Sequence, residues 1–288
     1  MNLDNVGAGA NAAPSGLDDQ APHARNATQA PGARQLAKKY VILATPRSGS
    51  SHLVDLLDSH PQLCCAGELF NPHGAALRKL GMRNKDDMRL AGQAPLEFLD
   101  RVVAKTREGD EAKECFGFKL MLHHDPRMID HVLEDEQWGV IVLERRDLLA
   151  QWTSAGLAKK TGQWGSGKKA VNPDQSDDPE AAKAAEAERL ARAAQIKVVF
   201  NAQKFEQYCI RMNARYASIY YRLGQRPYFR LFSEDIDASH QQMLQFLGAE
   251  ATEVQAPRPR QNSTSMRDRI KNYEHYVKYA RQHGLPVK

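Results

Sequence analysis

The run Lys39-Tyr-Val-Ile-Leu-Ala-Thr-Pro-Arg-Ser-Gly-Ser-Ser-His-Leu53 constrains this chain more than any other stretch. Residues 40–44 are almost wholly apolar and lead into a turn of small residues. Leu53, Leu56 and Leu57 then recur at helical spacing until Pro61. Such an apolar run reads as a parallel strand buried on both faces. A small-residue turn between that strand and a helix aims several backbone N–H groups at one spot. The positive end of the helix dipole lies there too, so the turn suits a phosphate or sulfate. A nucleoside-triphosphate loop would carry Gly-Lys-Ser/Thr, whose Lys reaches the terminal phosphates and whose hydroxyl ligates magnesium. Here the cation is Arg47, at the front of the turn, and Ser48, Gly49, Ser50 and Ser51 follow it. The pattern therefore argues for an anion and against ATP or GTP.

The segment Gly139-Val-Ile-Val-Leu-Glu-Arg-Arg-Asp-Leu-Leu-Ala-Gln-Trp-Thr-Ser154 repeats the strand-then-helix pattern. Between and beyond these landmarks the periodicity predicts helices over 95–105, 125–136 and 201–223, and strands over 115–122 and 228–232. Strands alternating with helices predict an α/β fold with a parallel sheet flanked by helices and ligands at the carboxyl ends of the strands. Lys119 falls inside an expected buried strand, where an ammonium needs a partner or a bound anion. His123 and His124 end that strand and point to opposite faces, so at most one of them serves the site.

Three segments in chain order, Pro46-Arg-Ser-Gly-Ser-Ser-His52, Gly67-Glu-Leu-Phe-Asn71 and Arg146-Asp-Leu-Leu-Ala-Gln151, resemble the sulfotransferases that use PAPS (3′-phosphoadenosine-5′-phosphosulfate). The resemblance is to bacterial carbohydrate enzymes of the nodulation-factor and lipopolysaccharide type, with trehalose sulfotransferases as more distant relatives. It implies a P-loop-like three-layer fold that works without a metal. It assigns Arg47, Ser48, Gly49, Ser50, Ser51 and His52 to the 5′-phosphosulfate, and Arg146 with Ser154 to the 3′-phosphate. Eight residues are a little over two helical turns, so both of the latter side chains can reach one phosphate. Arg145 and Arg146 could exchange roles; the spacing prefers Arg146. Glu68 matches the catalytic base, Arg47 the group that stabilises the leaving phosphate, and Lys119 a residue close to the reaction. The run from Arg258 to Tyr273 resembles the family's C-terminal segment over the 3′-phosphate, with Arg258, Arg260 and Gln261 as candidates. The run Ser233-Glu-Asp-Ile236 departs from the family pattern, with Ser233 where an aromatic is usual.

A net charge of +5 suits an anionic cofactor but is too diffuse to argue for nucleic acid. Four cysteines show no Cys-x-x-Cys pair and no metal spacing, which reads as reduced thiols of a cytoplasmic protein. The sequence holds no apolar stretch of membrane-spanning length. The first 36 residues, with nine Ala, four Gly and three Pro, have too few large apolar side chains for a core and read as a disordered tail. Residues 37–288 then form one domain, with 162–195 as a loop-plus-helix insertion and possible lid over an acceptor. The expected activity is transfer of a sulfuryl group from PAPS to a hydroxyl of a saccharide or glycolipid. A P-loop small-molecule kinase and a non-catalytic nucleotide-binding module are the alternatives.

Overall fold

The computed structural model describes residues 37–71, 76–82, 84–108, 113–162, 164, 195–253 and 265–287. Five strands form one parallel sheet in the order β2-β3-β1-β4-β5: β1 (Lys39–Ala44), β2 (Leu63–Glu68), β3 (Cys115–Met121), β4 (Trp138–Glu144) and β5 (Phe229–Phe232). The helices are α1 (Ser50–Asp58), α2 (Ala76–Lys79), α3 (Lys85–Gln93), α4 (Pro95–Thr106), α5 (Pro126–Glu134), α6 (Leu148–Thr161), α7 (Ala202–Leu223), α8 (His240–Leu247), α9 (Met266–Arg269) and α10 (Tyr273–Gln282). This is the α/β arrangement, a parallel sheet flanked by helices, that the alternation predicts.

Alternating side chains of the central strands feed two apolar layers. Val41, Leu43, Phe118, Val140 and Val142 pack with Phe98 and Val102 of α4, Met128 and Val132 of α5, and Ile219 of α7. Tyr40, Ile42, Ile141 and Leu143 pack with Leu53, Leu56 and Leu57 of α1 and with Met243 and Leu247 of α8. The second layer needs Gly117: a Cβ there would stand 2.1 Å from the Tyr40 ring, so only glycine admits this close approach. Tyr40 in turn donates its hydroxyl hydrogen bond to the Cys64 carbonyl at 3.1 Å, tying β1 to β2 across β3.

Two regions add to the elements that the periodicity predicts. Residues 70–93 hold α2 and α3; Asn84 caps α3 by accepting from the Asp87 N–H at 2.8 Å. The C-terminal helix breaks at Ile270, which is 1 % exposed and pairs with Val198 in a parallel bridge. Asn272 completes the break by accepting from the Phe200 N–H at 2.7 Å and donating to its carbonyl at 2.9 Å. This docks the C-terminal segment on the start of α6, where Leu149 and Ala150 pack with Phe200, Met266 and Ile270. The N-terminal tail, most of the 162–195 insertion, Arg258, Arg260 and Gln261 lie outside the described residues. Among the described residues no helix is long and apolar enough to cross a membrane.

Candidate active site

The parallel strands deliver the candidate residues to one edge of the sheet. Residue 47 follows β1, Glu68 ends β2, His123 and His124 follow β3, and Arg145 and Arg146 follow β4. The first loop is held at its root by a buried chain of hydrogen bonds. Gln151 Nε2 donates to Thr45 Oγ1 at 2.8 Å, and Thr45 Oγ1 lies 2.9 Å from the Tyr216 hydroxyl. That hydroxyl donates to the Leu143 carbonyl at 2.7 Å, and Gln151 also donates to the Pro46 carbonyl at 2.8 Å. With Tyr216 committed to Leu143, Thr45 is the donor to it, and every member of the chain is satisfied.

The turn itself is strained in one place. Arg47 is the sole described non-glycine residue with positive φ, at 65°, and Gly49 follows at 81°. A Cβ at Gly49 would approach Ser233 Cβ to 3.0 Å, so glycine serves both the φ and the contact. Ser48 turns its hydroxyl back to the Thr45 carbonyl at 2.8 Å. Among the described residues the backbone N–H groups of Gly49, Ser50 and Ser51 have no protein acceptor, as a helix start that receives an anion requires. His52 points elsewhere: its Nε2 lies 2.8 Å from Asp237 Oδ1.

The two loops meet. Arg47 Nε donates to Ser154 Oγ at 2.8 Å, across 107 residues of sequence, and its Nη1 donates to the Trp164 carbonyl at 2.6 Å. Arg145 Nη1 donates to the Arg47 carbonyl at 3.0 Å, while its buried Nε makes no hydrogen bond among the described residues and stands 4.0 Å from Glu234 Oε1. Arg146 takes the outward position. Its guanidinium lies 3.9 Å over the Phe232 ring and 2.7 Å from Asp235 Oδ2, and its side chain is 53 % exposed. Helical spacing favours Arg146 for the phosphate, whereas the geometry puts Arg145 against the first loop. Sequence reasoning passed over Arg269, buried in the C-terminal segment at 6 % exposure. Burial and then the charge of Arg145 hold the pKa of both Arg47 and Arg269 below the usual guanidinium value, so three guanidiniums share one electrostatic field. Like charges gathered out of water favour a bound anion, and Arg145 Nε, which makes no hydrogen bond among the described residues, offers it a donor.

A second cluster lies at the ends of β2 and β3, where Glu68 pairs with Lys119 in register. Lys119 Nζ is 3.3 Å from Glu68 Oε2, and His124 Nε2 is 3.2 Å from Glu68 Oε1. Asn71 Nδ2 donates to the same Oε1 at 3.1 Å. The buried Lys119 thus has its partner, and of the two histidines His124 is the one on the carboxylate. Burial by itself raises the Glu68 carboxyl, yet the His124 hydrogen bond and the Lys119 charge outweigh it and bring it from 4.5 down to about 2. A carboxyl lowered in the folded state contributes stability above its unfolded value and loses it as pH falls through the folded one. On the order of 3 kcal/mol should therefore disappear between pH 4.5 and about 2. Urea unfolding of wild type and Glu68→Gln checks this: their stability gap should narrow steadily with acid across that window.

These features have sequence counterparts. Residues 40–125, which span the first loop, Glu68, Lys119 and His124, match the model of the sulfotransferase family. The chain resembles sulfotransferases. Nodulation protein H of Rhizobium tropici is 27 % identical over 140 residues, which are 49 % of this chain and 52 % of that protein. The chain thus spans about half the length of this curated relative. Among solved structures, the sulfotransferase from Alicyclobacillus acidocaldarius aligns over 88 % of this chain and 98 % of its own, at 12 % identity and a TM-score of 0.42. The sulfotransferase domain of the Synechococcus PCC 7002 olefin synthase aligns over 75 % of each chain, at 16 % identity and a TM-score of 0.33. Among the described residues no group of three His, Cys, Asp or Glu side chains is placed to hold a metal ion.

Proposed function

We propose that this sulfotransferase-like chain moves a sulfuryl group from PAPS to a hydroxyl of a saccharide or glycolipid. The observation that supports the reading is the 2.8 Å hydrogen bond from Arg47 to Ser154, because it brings together the loop and the helix that the resemblance assigns to the two ends of one nucleotide. The donor set fits a doubly anionic nucleotide: Arg47 and the N–H groups of Gly49, Ser50 and Ser51 on one side, Arg145, Ser154 and Arg269 on the other. The Arg146 and Arg260 assignments rest on the sequence resemblance alone. When bound, PAPS supplies a sulfuryl group on a phosphate leaving group. The saccharide acceptor rests on the likeness of the three sequence segments to bacterial carbohydrate enzymes.

In this reading Glu68 takes the acceptor proton as the hydroxyl oxygen bonds to sulfur. The bond from sulfur to the phosphate oxygen breaks, and its electron pair leaves on the phosphate, where Arg47 and the loop N–H groups meet the charge. A carboxylate near 2 is a weak base for a free alcohol. An oxygen already bonding to sulfur, however, gives up its proton readily, so Glu68 acts late in the transfer. Lys119, His124 and Asn71 keep it ionised and oriented.

Thermal unfolding tests the donor site. PAPS and adenosine 3′,5′-bisphosphate should raise the midpoint, by the equivalent of about 2.7 kcal/mol at a hundred times Kd. ATP and magnesium-ATP should not. Arg145→Ala should remove most of the shift and Arg146→Ala little of it. An equal response to magnesium-ATP would point to a kinase instead.

A further inference from the structure

Both arginines that follow β4 meet a carboxylate, and both carboxylates come from the short turn Ser233–Asp235 after β5. Asp235 Oδ2 holds Arg146 at 2.7 Å. Glu234 lies across the root of the second loop. Its Oε2 accepts from the Arg146 N–H and its Oε1 from the Asp147 N–H, each at 3.3 Å. Oε1 also stands 4.0 Å from Arg145 Nε, and the Ser233 hydroxyl donates to Oε2 at 3.1 Å. Backbone N–H groups beside a guanidinium suit an anion, and an ionised carboxylate is acceptor-only. Here the anion belongs to the chain itself.

The chain around Glu234 is pinned. Asp237 Oδ1 lies 2.8 Å from His52 Nε2, and Ser233 Cβ sits only 3.0 Å from where a Gly49 Cβ would stand. Ile236 is buried in the second apolar layer. The carboxylate therefore has little freedom to withdraw from Arg145. Arg145 is also the residue that reaches the first loop, since its Nη1 is on the Arg47 carbonyl and Arg47 in turn bonds Ser154. A phosphate taken up by Arg145 and Ser154 comes to rest near a fixed like charge. In a partly buried site such repulsion is screened far less than on an open surface. The guanidinium that would neutralise the phosphate is already neutralised in part by Glu234.

We propose that Glu234 competes with the nucleotide's 3′-phosphate for Arg145 and so sets how tightly the site holds that nucleotide. The proposal rests on the sulfuryl-transfer reading and adds to it an internal anion that opposes the bound one. PAPS and the spent adenosine 3′,5′-bisphosphate both carry the 3′-phosphate, so the carboxylate loosens both. The consequence falls on the second, because a product held too tightly makes its own release the slow step. Adenosine 5′-phosphate has no 3′-phosphate and makes no claim on Arg145, so its binding is indifferent to Glu234.

The test is isothermal titration of the full chain with adenosine 3′,5′-bisphosphate and with adenosine 5′-phosphate, at one ionic strength. Glu234→Gln removes the charge and keeps the length. It should bind the bisphosphate roughly five- to fiftyfold more tightly and the monophosphate as the wild type does. Glu234→Ala should repeat that gain, which guards against a folding fault peculiar to the amide, and the charge-keeping Glu234→Asp should show less of it. In an Arg145→Ala background Glu234→Gln should gain nothing, because the contested guanidinium is gone. Unchanged or weaker bisphosphate binding in the Gln and Ala variants would overturn the proposal and leave Glu234 as a residue that holds Arg145 in place. An equal gain for the monophosphate would overturn it too, since the carboxylate would then act on the whole site. A wild type that does not bind the bisphosphate would instead sink the sulfuryl-transfer reading, so the two failures are distinguishable.

Discussion

Arg47→Ala should lower kcat/KM for PAPS by about 10²–10³-fold, the usual loss when one preorganised donor to developing charge is removed. The same side chain bridges the two loops through Ser154 and the Trp164 carbonyl, so the adenosine bisphosphate shift should fall as well. Its backbone makes the prediction sharper. At φ 65° a non-glycine residue carries strain of about 1–2 kcal/mol, and alanine keeps that strain while losing the contacts that repay it. Arg47→Gly relieves the strain. It should therefore be more stable than Arg47→Ala in urea unfolding and yet equally slow in turnover. Arg47→Lys, which keeps a charge but lacks the planar fork, should fall between wild type and alanine in turnover. Full turnover in Arg47→Ala would remove this residue from the transfer step.

The loop that carries Arg47 was legible because β1, β3 and β4 are buried on both faces, and such strands appear as unbroken apolar runs. β2 was not legible. It is an edge strand of small and mixed residues, Leu63-Cys-Cys-Ala-Gly-Glu, whose pairing with β3 shifts register between Cys65 and Glu68. α3 was hidden for a related reason: Asp87 is its one buried residue, so hydrophobic periodicity had almost nothing to report. The same limits shaped the site. That Lys119 needs a partner follows from its place in a buried strand. That the partner is Glu68 depends on β2 lying beside β3, a non-local pairing with no local trace. Arg145 and Arg146 differ in a way that helical spacing does not capture, because both precede the helix. The aromatic ring of Phe232 and the carboxylate of Asp235, brought by β5 and the turn after it, draw Arg146 outward and leave Arg145 for the loop.

Glu68→Gln should lower kcat by about 10²–10⁴-fold, the range that a positioned general base supplies. The amide keeps the shape and can still meet Asn71 and His124, so adenosine bisphosphate should bind as in the wild type. The substitution also leaves Lys119 buried beside a neutral group. Removing one partner of a buried pair costs roughly 3–5 kcal/mol, and the lower end applies here because the Glu68 side chain keeps 21 % of its exposure. A slow enzyme could then be merely an unstable one, and the double variant Glu68→Gln/Lys119→Met separates the two. Replacing the ammonium by a side chain of similar length restores stability without restoring a proton acceptor, so kcat should stay low while the urea midpoint recovers. The pH profile gives an independent reading. A carboxylate held at about 2 stays ionised through the neutral range, so kcat should show no acid limb from Glu68 between about pH 5 and 8. Near-normal turnover in Glu68→Gln would take the proton away from Glu68 and leave it as a group that only orients its neighbours.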